Sequence, residues 1–285
     1  MAATGRLLYE THTHTPLCRH AVGEPEEYAQ VAWQRGLRGM AVTCHNPMPD
    51  GFSPGVRMRG DQLAQYVELV QRARDAWEGR VDIRLGLECD FFPGQERWLG
   101  RQLAAADFDC VLGSVHPQTA EYRERFFGPD PAEFHRTYFR HLADAAATGL
   151  FDCLAHPDFV KNETPEAWSP AAIMGDVRRA LDRIAAAGVA LEINTSGANK
   201  AIAEMSPFPA MLAEMRARSI PVVIGSDAHE PDRVGDRFRE AVDLLMACGY
   251  ERLSYFLHRR RHDVPLPQAR ESLVDHTQGH AEHER

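Results

Sequence analysis

Seven short apolar runs, each closing on a histidine, a carboxylate or a polar turn, set the rhythm of this chain. The first is Leu7-Leu8-Tyr9-Glu10-Thr11-His12-Thr13-His14-Thr15. Successive residues of a strand point to opposite faces, so His12 and His14 share one side. Two imidazoles converging on one point imply a cation between them. The later runs repeat the syntax. Residues 40–44 lead to His45, 83–87 to Glu88, 110–115 to His116 and 151–155 to His156. The run from 189 carries Glu192 and Asn194, and the run from 221 carries Asp227 and His229, again two apart. Each run is short, apolar and often β-branched, the pattern of a strand buried on both faces in a parallel sheet.

Helical patterns with defined ends lie between the runs. Asp130-Pro131 reads as a cap and first turn, Phe134, Tyr138, Leu142 and Ala145 fall on one face, and Gly149 closes the segment. Ser169-Pro170 opens the next helix and Gly188 ends it. Weaker copies cover 26–33, 61–77, 209–218 and 236–248. Strand and helix alternating seven times predict an α/β fold with parallel strands. Chemistry at the carboxyl end of nearly every strand is the signature of a barrel, whereas an open doubly wound sheet gathers its site at one switch point. The expectation is a (β/α)7 barrel, a TIM barrel one unit short, with its site at the C-terminal ends of the strands. Residues 253–257 are a candidate eighth strand.

The 285 residues contain no Pro/Gly/Ser-rich linker, so one barrel domain is expected over 1–268, followed by a frayed polar tail over 269–285 that carries His276, His280 and His283. The absence of a long apolar run argues against a membrane span, and the absence of a basic segment before an apolar stretch argues against a signal peptide. A cytoplasmic location is therefore expected. The six cysteines form no Cys-x-x-Cys pair and read as reduced, mostly buried thiols. Cys44 and Cys89 lie one step from His45 and Glu88, and strand parity is expected to turn them away. The net charge is −9, and of 32 Lys+Arg only Lys161 and Lys200 are lysine. Such a surface does not attract long nucleic acid.

Seven of the 14 histidines fall at strand ends or in the loops just beyond them. A cluster of imidazolium ions would repel itself unless the rings were neutral and metal-bound. With the two carboxylates the candidate metal ligands are His12, His14, His20, His45, Glu88, His116, His156, Asp227 and His229. A zinc site takes about three or four protein ligands, so this set implies two or three divalent ions with a carboxylate such as Glu88 shared between two. Mixed imidazole and carboxylate ligation suits Zn, Mn or Fe. His135 and His141, on one predicted helix, cannot share a face, and His258 and His262 sit among arginines; none of the four is assigned to the cluster.

The motifs His-Thr-His-Thr (12–15), Cys-His-Asn-Pro (44–47), Gly-Leu-Glu-Cys-Asp (86–90), Gly-Ser-Val-His (113–116), Ala-His-Pro-Asp (155–158), Glu-Ile-Asn-Thr-Ser-Gly (192–197) and Gly-Ser-Asp-Ala-His (225–229) together resemble the polymerase-and-histidinol-phosphatase (PHP) family. The resemblance runs over residues 7–260 and is nearest to the histidinol-phosphatase branch through 15–21 and 159–161. It implies a distorted (β/α)7 barrel with three ions: one held by His12, His14, Glu88 and Asp227, a second by Glu88, His116 and His156, a third by His20, His45 and His229. Glu192 and Asn194 fall outside that ligand set and are expected to support it or to form the wall. The implied chemistry is hydrolysis of a small phosphate monoester by metal-activated water, with Asp227 orienting the nucleophile and His229 a candidate proton donor.

One departure stands out. Members of the branch resemble one another in an arginine three residues before the histidine matching His156, where this chain has Cys153. Arg19, Lys161 and Arg233 are the candidate substrate contacts in its place, and residues 47–54 form a candidate lid. The leading expectation is a phosphatase acting on L-histidinol phosphate in histidine biosynthesis. The alternative is a nucleoside monophosphate phosphatase or a short-oligonucleotide 3′-5′ exonuclease. A non-catalytic scaffold or a protein-tyrosine phosphatase is further off; the first should have lost ligands, and none of the set is missing.

Overall fold

The structure, a computed structural model, describes residues 5–274. Seven strands lie side by side in chain order, every neighbouring pair parallel: β1 (Tyr9–Thr13), β2 (Gly39–Val42), β3 (Asp82–Asp90), β4 (Cys110–Ser114), β5 (Cys153–Leu154), β6 (Ala190–Asn194) and β7 (Val222–Gly225). Helices α1 (Pro25–Gln34), α2 (Leu63–Ala76), α3 (Glu96–Leu103), α4 (Ala120–Phe126), α5 (Pro131–Ala147), α6 (Pro170–Ala187), α7 (Pro209–Ala217) and α8 (Phe238–Ala247) connect them. Proline stands in the first turn of α1, α5, α6 and α7, where its missing N–H costs nothing. The Asp130 carboxylate accepts from the Ala132 amide at 2.9 Å, as a cap should, whereas Ser169 makes no such bond. Gly188 ends α6 at φ 72°, a left-handed geometry that glycine adopts without strain. Helices α3 and α4 had no clear signal in the sequence; both are short.

The ring closes between β1 and β7 without a full ladder. The His14 amide donates to Ala228 O at 2.9 Å and the Ala228 amide to His12 O at 3.1 Å. Below them the buried Glu10 carboxylate accepts from the amides of His12 (3.0 Å), Ser226 (2.9 Å) and Gly235 (2.8 Å) and from the Ser226 hydroxyl (2.5 Å). Burial pushes this carboxyl up to about 7 even against those donors. The lumen beneath the site is filled by Ala41, Cys110, Leu112, Cys153, Ala155, Ala190 and Val223, most of them small.

Residues 253–257 do not supply an eighth barrel strand. They lie in β8 (Arg252–Leu257), which pairs antiparallel with β9 (Arg260–Pro265) as a separate hairpin. The hairpin plugs the N-terminal end of the barrel. Phe256 packs against the lumen cluster, Tyr255 stacks on Tyr9 at 4.4 Å, and Arg259 donates to Asp152 at 2.5 Å. The expected tail also begins later than residue 269. Helix α9 (Leu266–Glu271) buries Leu266 and Ala269, and the Val274 amide donates to Arg35 O at 3.2 Å. The tail histidines 276, 280 and 283 lie outside the described residues. Among the described residues no helix is long and apolar enough to cross a membrane, and all six cysteines are free thiols.

Candidate metal centre

Strand alternation carries most of the site. Ala41, Cys110, Leu112, Ala190 and Val223 face the lumen, so the same parity further along delivers His45, His116 and Glu192 to one mouth, and the parallel pairing of Glu88 with His45 brings that carboxylate with them. His156 needs more than parity. Ala155 already faces the lumen, so strict alternation would send the next side chain outward; a left-handed φ of 28° at His156 brings the ring back in. Its amide donates to Glu192 Oε2 at 2.8 Å. Glu192 also accepts from His12 Nδ1 at 2.8 Å and from Asn194 Nδ2 at 2.9 Å, joining β1, β5 and β6 through one carboxylate. Gly225 makes room for it: a Cβ there would stand 2.0 Å from Glu192 Oε1.

All nine candidate ligands meet at this mouth. Glu88, fully buried, sits at the centre. Its Oε1 faces His156 Nε2 at 3.0 Å and His116 Nε2 at 3.4 Å, while Oε2 faces His45 Nδ1 at 2.7 Å, His12 Nε2 at 3.5 Å and His14 Nε2 at 3.7 Å. The two oxygens thus address two different sets of imidazoles, which is the geometry a bridging carboxylate needs. Asp227 Oδ1 lies 3.0 Å from His14 Nε2 and 3.5 Å from His12 Nε2. Toward solvent, the His229 ring lies 3.9 Å from that of His14 and 4.5 Å from that of His20, and the His20 ring lies 5.3 Å from that of His45.

Four of the rings are held by their outer nitrogen. Nδ1 of His12 meets Glu192, that of His116 meets Asp90, that of His20 meets Cys18 O at 2.9 Å and that of His229 meets Asp227 O at 2.9 Å. A carbonyl or carboxylate partner fixes the proton on Nδ1 and leaves Nε2 a bare lone pair. The lone pairs of His12 and His116 point at carboxylates. Nε2 of His12 and of His229, together with Glu88 Oε2, are buried with no hydrogen-bond partner. Buried acceptors facing acceptors are costly unless a cation lies between them. The donor set therefore fits divalent ions. Protons are the lesser substitute: against the opposing effect of burial, Glu192, Asp227 and Glu88 hold His12 well above its ordinary value, and Asp90 and Glu88 raise His116 to about 10. Burial drives His45 down to about 4 and His229 to about 3.

The cysteines next to the cluster do not all turn away. The thiols of Cys18 and Cys44 and a ring nitrogen of His14 lie within 4.8 Å of one another, behind the mouth. Cys153 is buried in the lumen rather than at the rim, so that position contributes nothing to the wall of the mouth. His135 and His141 stay outside the cluster, bonded to Thr164 at 2.7 Å and to Tyr122 at 2.8 Å.

The three substrate-contact candidates fare differently. Arg19 is exposed, at a left-handed φ of 70°. Arg233 is half-buried and paired with Asp236 at 2.9 Å. Lys161 is a correction: its ammonium is fully buried and engaged by Asp158 (3.0 Å), Glu204 (3.1 Å) and Met205 O (3.1 Å), with no proton left for a substrate. The candidate lid is a fixed wall. Both oxygens of Glu121 hold Ser53, at 2.7 Å to its amide and 2.6 Å to its hydroxyl, and Pro47 O accepts from Trp98 at 3.2 Å and Gln102 at 2.5 Å. Two residues missed in the sequence are Asp90 and Arg57. Asp90 stands two after Glu88 on β3, so parity could have found it; nothing local marks Arg57.

A seven-stranded TIM-like barrel with a multi-histidine mouth around a shared carboxylate is a narrow class. The chain belongs to the PHP domain family, whose model matches residues 10–196. It is 40% identical over 263 residues to a probable histidinol-phosphatase of Deinococcus radiodurans, covering 89% of this chain and 98% of that one. A histidinol-phosphatase of Bacillus subtilis is 28% identical, over 79% of this chain and 94% of that one. The fold is shared with histidinol phosphate phosphatase of Lactococcus lactis, solved with zinc, L-histidinol and phosphate: TM-score 0.77, 20% identity, 90% of this chain and 98% of that one.

Proposed function

We propose that this chain is a metal-dependent phosphomonoesterase that hydrolyses L-histidinol phosphate to L-histidinol and phosphate. The observation that carries the reading is the buried set of imidazole nitrogens gathered around Glu88 and Asp227, several of them without a hydrogen-bond partner, which suits divalent cations better than protons. The substrate comes from the relatives, a probable histidinol-phosphatase matched over 98% of its length and a histidinol-phosphatase matched over 94%. The cofactors are divalent ions, three in this reading: His12, His14, Glu88 and Asp227 for one, Glu88, His116 and His156 for the second, His20, His45 and His229 for the third. Zinc, named with the Lactococcus protein, is the first choice of metal.

Divalent ions held there supply Lewis acidity, making water a nucleophile near neutral pH and offsetting the charge of a phosphate dianion. The chain's own groups do the positioning. Glu192 and Asp90 fix the tautomers of His12 and His116 so that Nε2 faces inward. Asp227, whose Oδ2 accepts from Ser196 Oγ at 3.3 Å, orients the attacking water. His229, pushed down to about 3 by burial and with its Nδ1 proton committed to Asp227 O, fits a metal ligand better than the proton donor to the leaving alkoxide that the sequence suggested. A cytoplasmic biosynthetic role and a small phosphate monoester as the partner follow from this reading.

The test is phosphate release by the metal-replete protein, comparing kcat/KM for L-histidinol phosphate and AMP. A preference of a hundredfold or more for L-histidinol phosphate is expected. Equal values, or a preference for AMP, would move the protein to nucleotide hydrolysis.

A further inference from the structure

The proposed reaction, on which this inference rests, brings a phosphate dianion into a mouth whose three expected cationic contacts are absent from its lining. A cavity of about 310 Å³ opens beside the candidate ligands, bounded on one side by His20, His45 and His116 and on the other by Val56 and Arg57. Arg19, Lys161 and Arg233 are not among its lining residues; the one guanidinium among those described there is that of Arg57. This residue comes from the loop between β2 and α2. Its side chain is only 3% exposed, so it is not a solvated surface charge that happens to lie near an opening.

Arg57 is held rigidly from behind. Nε donates to Ser53 O at 3.3 Å, Nη1 to Asn46 O at 3.1 Å, and Nη2 to the Asp90 carboxylate. The other oxygen of Asp90 takes the Nδ1 proton of His116. One carboxylate therefore separates the guanidinium from a candidate metal ligand, and both Arg57 and His116 line the cavity. A guanidinium has five N–H bonds. Three are committed, and the two left over belong to the two terminal nitrogens, one on each, available to the oxygens of a tetrahedral anion. The ties to Ser53, Asn46 and Asp90 remove the rotamer freedom that a long cationic side chain otherwise loses on binding.

We propose that Arg57 is the substrate's phosphate-binding cation, delivered from the loop after β2 instead of from β5. The anion recognised is a phosphoryl group, whether on the ester or as released inorganic phosphate. The buried Asp90 keeps the fork aimed and ties it to His116.

The probe is inorganic phosphate, its Kd measured by calorimetry on the metal-replete protein, with bound metal counted by elemental analysis. Arg57→Met keeps the length and removes fork and charge. It should weaken phosphate binding about tenfold or more, the size of a lost charged hydrogen-bonded pair, and raise KM similarly, with the metal count unchanged. Arg57→Lys keeps the charge without the fork and should fall between wild type and Arg57→Met. An unchanged Kd with metal retained overturns the proposal. So does a loss of metal with unchanged phosphate affinity per loaded site, which would make Arg57 a tie for the loop and His116 only. If Arg57→Met does not fold, Arg57→Lys decides: wild-type phosphate affinity in that variant overturns the assignment. Because the readout is binding, a protein that fails to hydrolyse L-histidinol phosphate sinks the proposed substrate and leaves the Arg57 test in force.

Discussion

At the floor of the mouth, His12, His14, Glu88 and His156 come from the ends of β1, β3 and β5 and are nearly without exposure. At the wall, Ser53, Val56 and Arg57 come from one loop that no strand carries. The floor is held by the barrel's own geometry plus a few carboxylates behind it. The wall is held by side chains from distant helices: Glu121 on α4, Trp98 and Gln102 on α3. The contrast teaches how the two jobs separate. Ligands that share ions must be placed to within tenths of an ångström, and a closed sheet does that. A surface that sorts substrates needs only shape and one or two fixed charges.

The difference can be broken most severely at Glu88. Glu88→Ala should lose two ions together and several kcal/mol of transition-state stabilisation, about a thousandfold in rate. His20→Ala, at the solvent edge of the cluster, should lose mainly one ion. Elemental analysis of both variants decides; equal metal loss would remove the bridging role from Glu88. A smaller effect is expected one layer back. Glu192→Gln keeps the shape but takes away the acceptor that fixes His12 or the one that holds His156, and metal affinity should fall about 10–100-fold, measured by competition with a chelator. Wild-type affinity would mean that backbone geometry alone aims these rings. The smallest effect on catalysis is expected at Lys161, outside both regions. Lys161→Met leaves Asp158 without its buried partner and should cost about 3–5 kcal/mol of stability in a denaturant melt. Its kcat/KM per folded molecule should stay within about twofold, and a selective rise in KM would return Lys161 to the substrate.

The sequence predicted the floor far better than the wall, for a physical reason. His12 and His14 are two apart at the end of β1, and period-two alternation converts that spacing directly into a shared face; Asp227 and His229 are also two apart, but they lie past the end of β7, with Asp227 at a left-handed φ of 53°. His156 shows where the rule stops: its inclusion depends on a left-handed φ that no residue type announces. Lys161 follows a strand end on the active face, yet Asp158, three residues earlier, turns its ammonium into the protein. Arg57 was illegible because the path of its loop is set by Glu121 and Trp98, far along the chain. The hairpin of β8 and β9 misled in the opposite way. Its alternating pattern is that of a strand, but a strand's partner is not written in its own residues.

Of the contacts described, the thread from Arg57 through Asp90 to His116 is the one that links the wall's side chains to a ligand of the floor. Ser53 joins that thread through its carbonyl, which accepts from Arg57 Nε at 3.3 Å. The stretch from Pro54 to Val56 makes no such link. It can be recut without retuning the metals, much as a lock is rekeyed by changing its wards while the bolt stays put. A lineage, or an engineer, seeking a new phosphate ester has a short exposed segment in which to search, with hydrolysis already in place behind it.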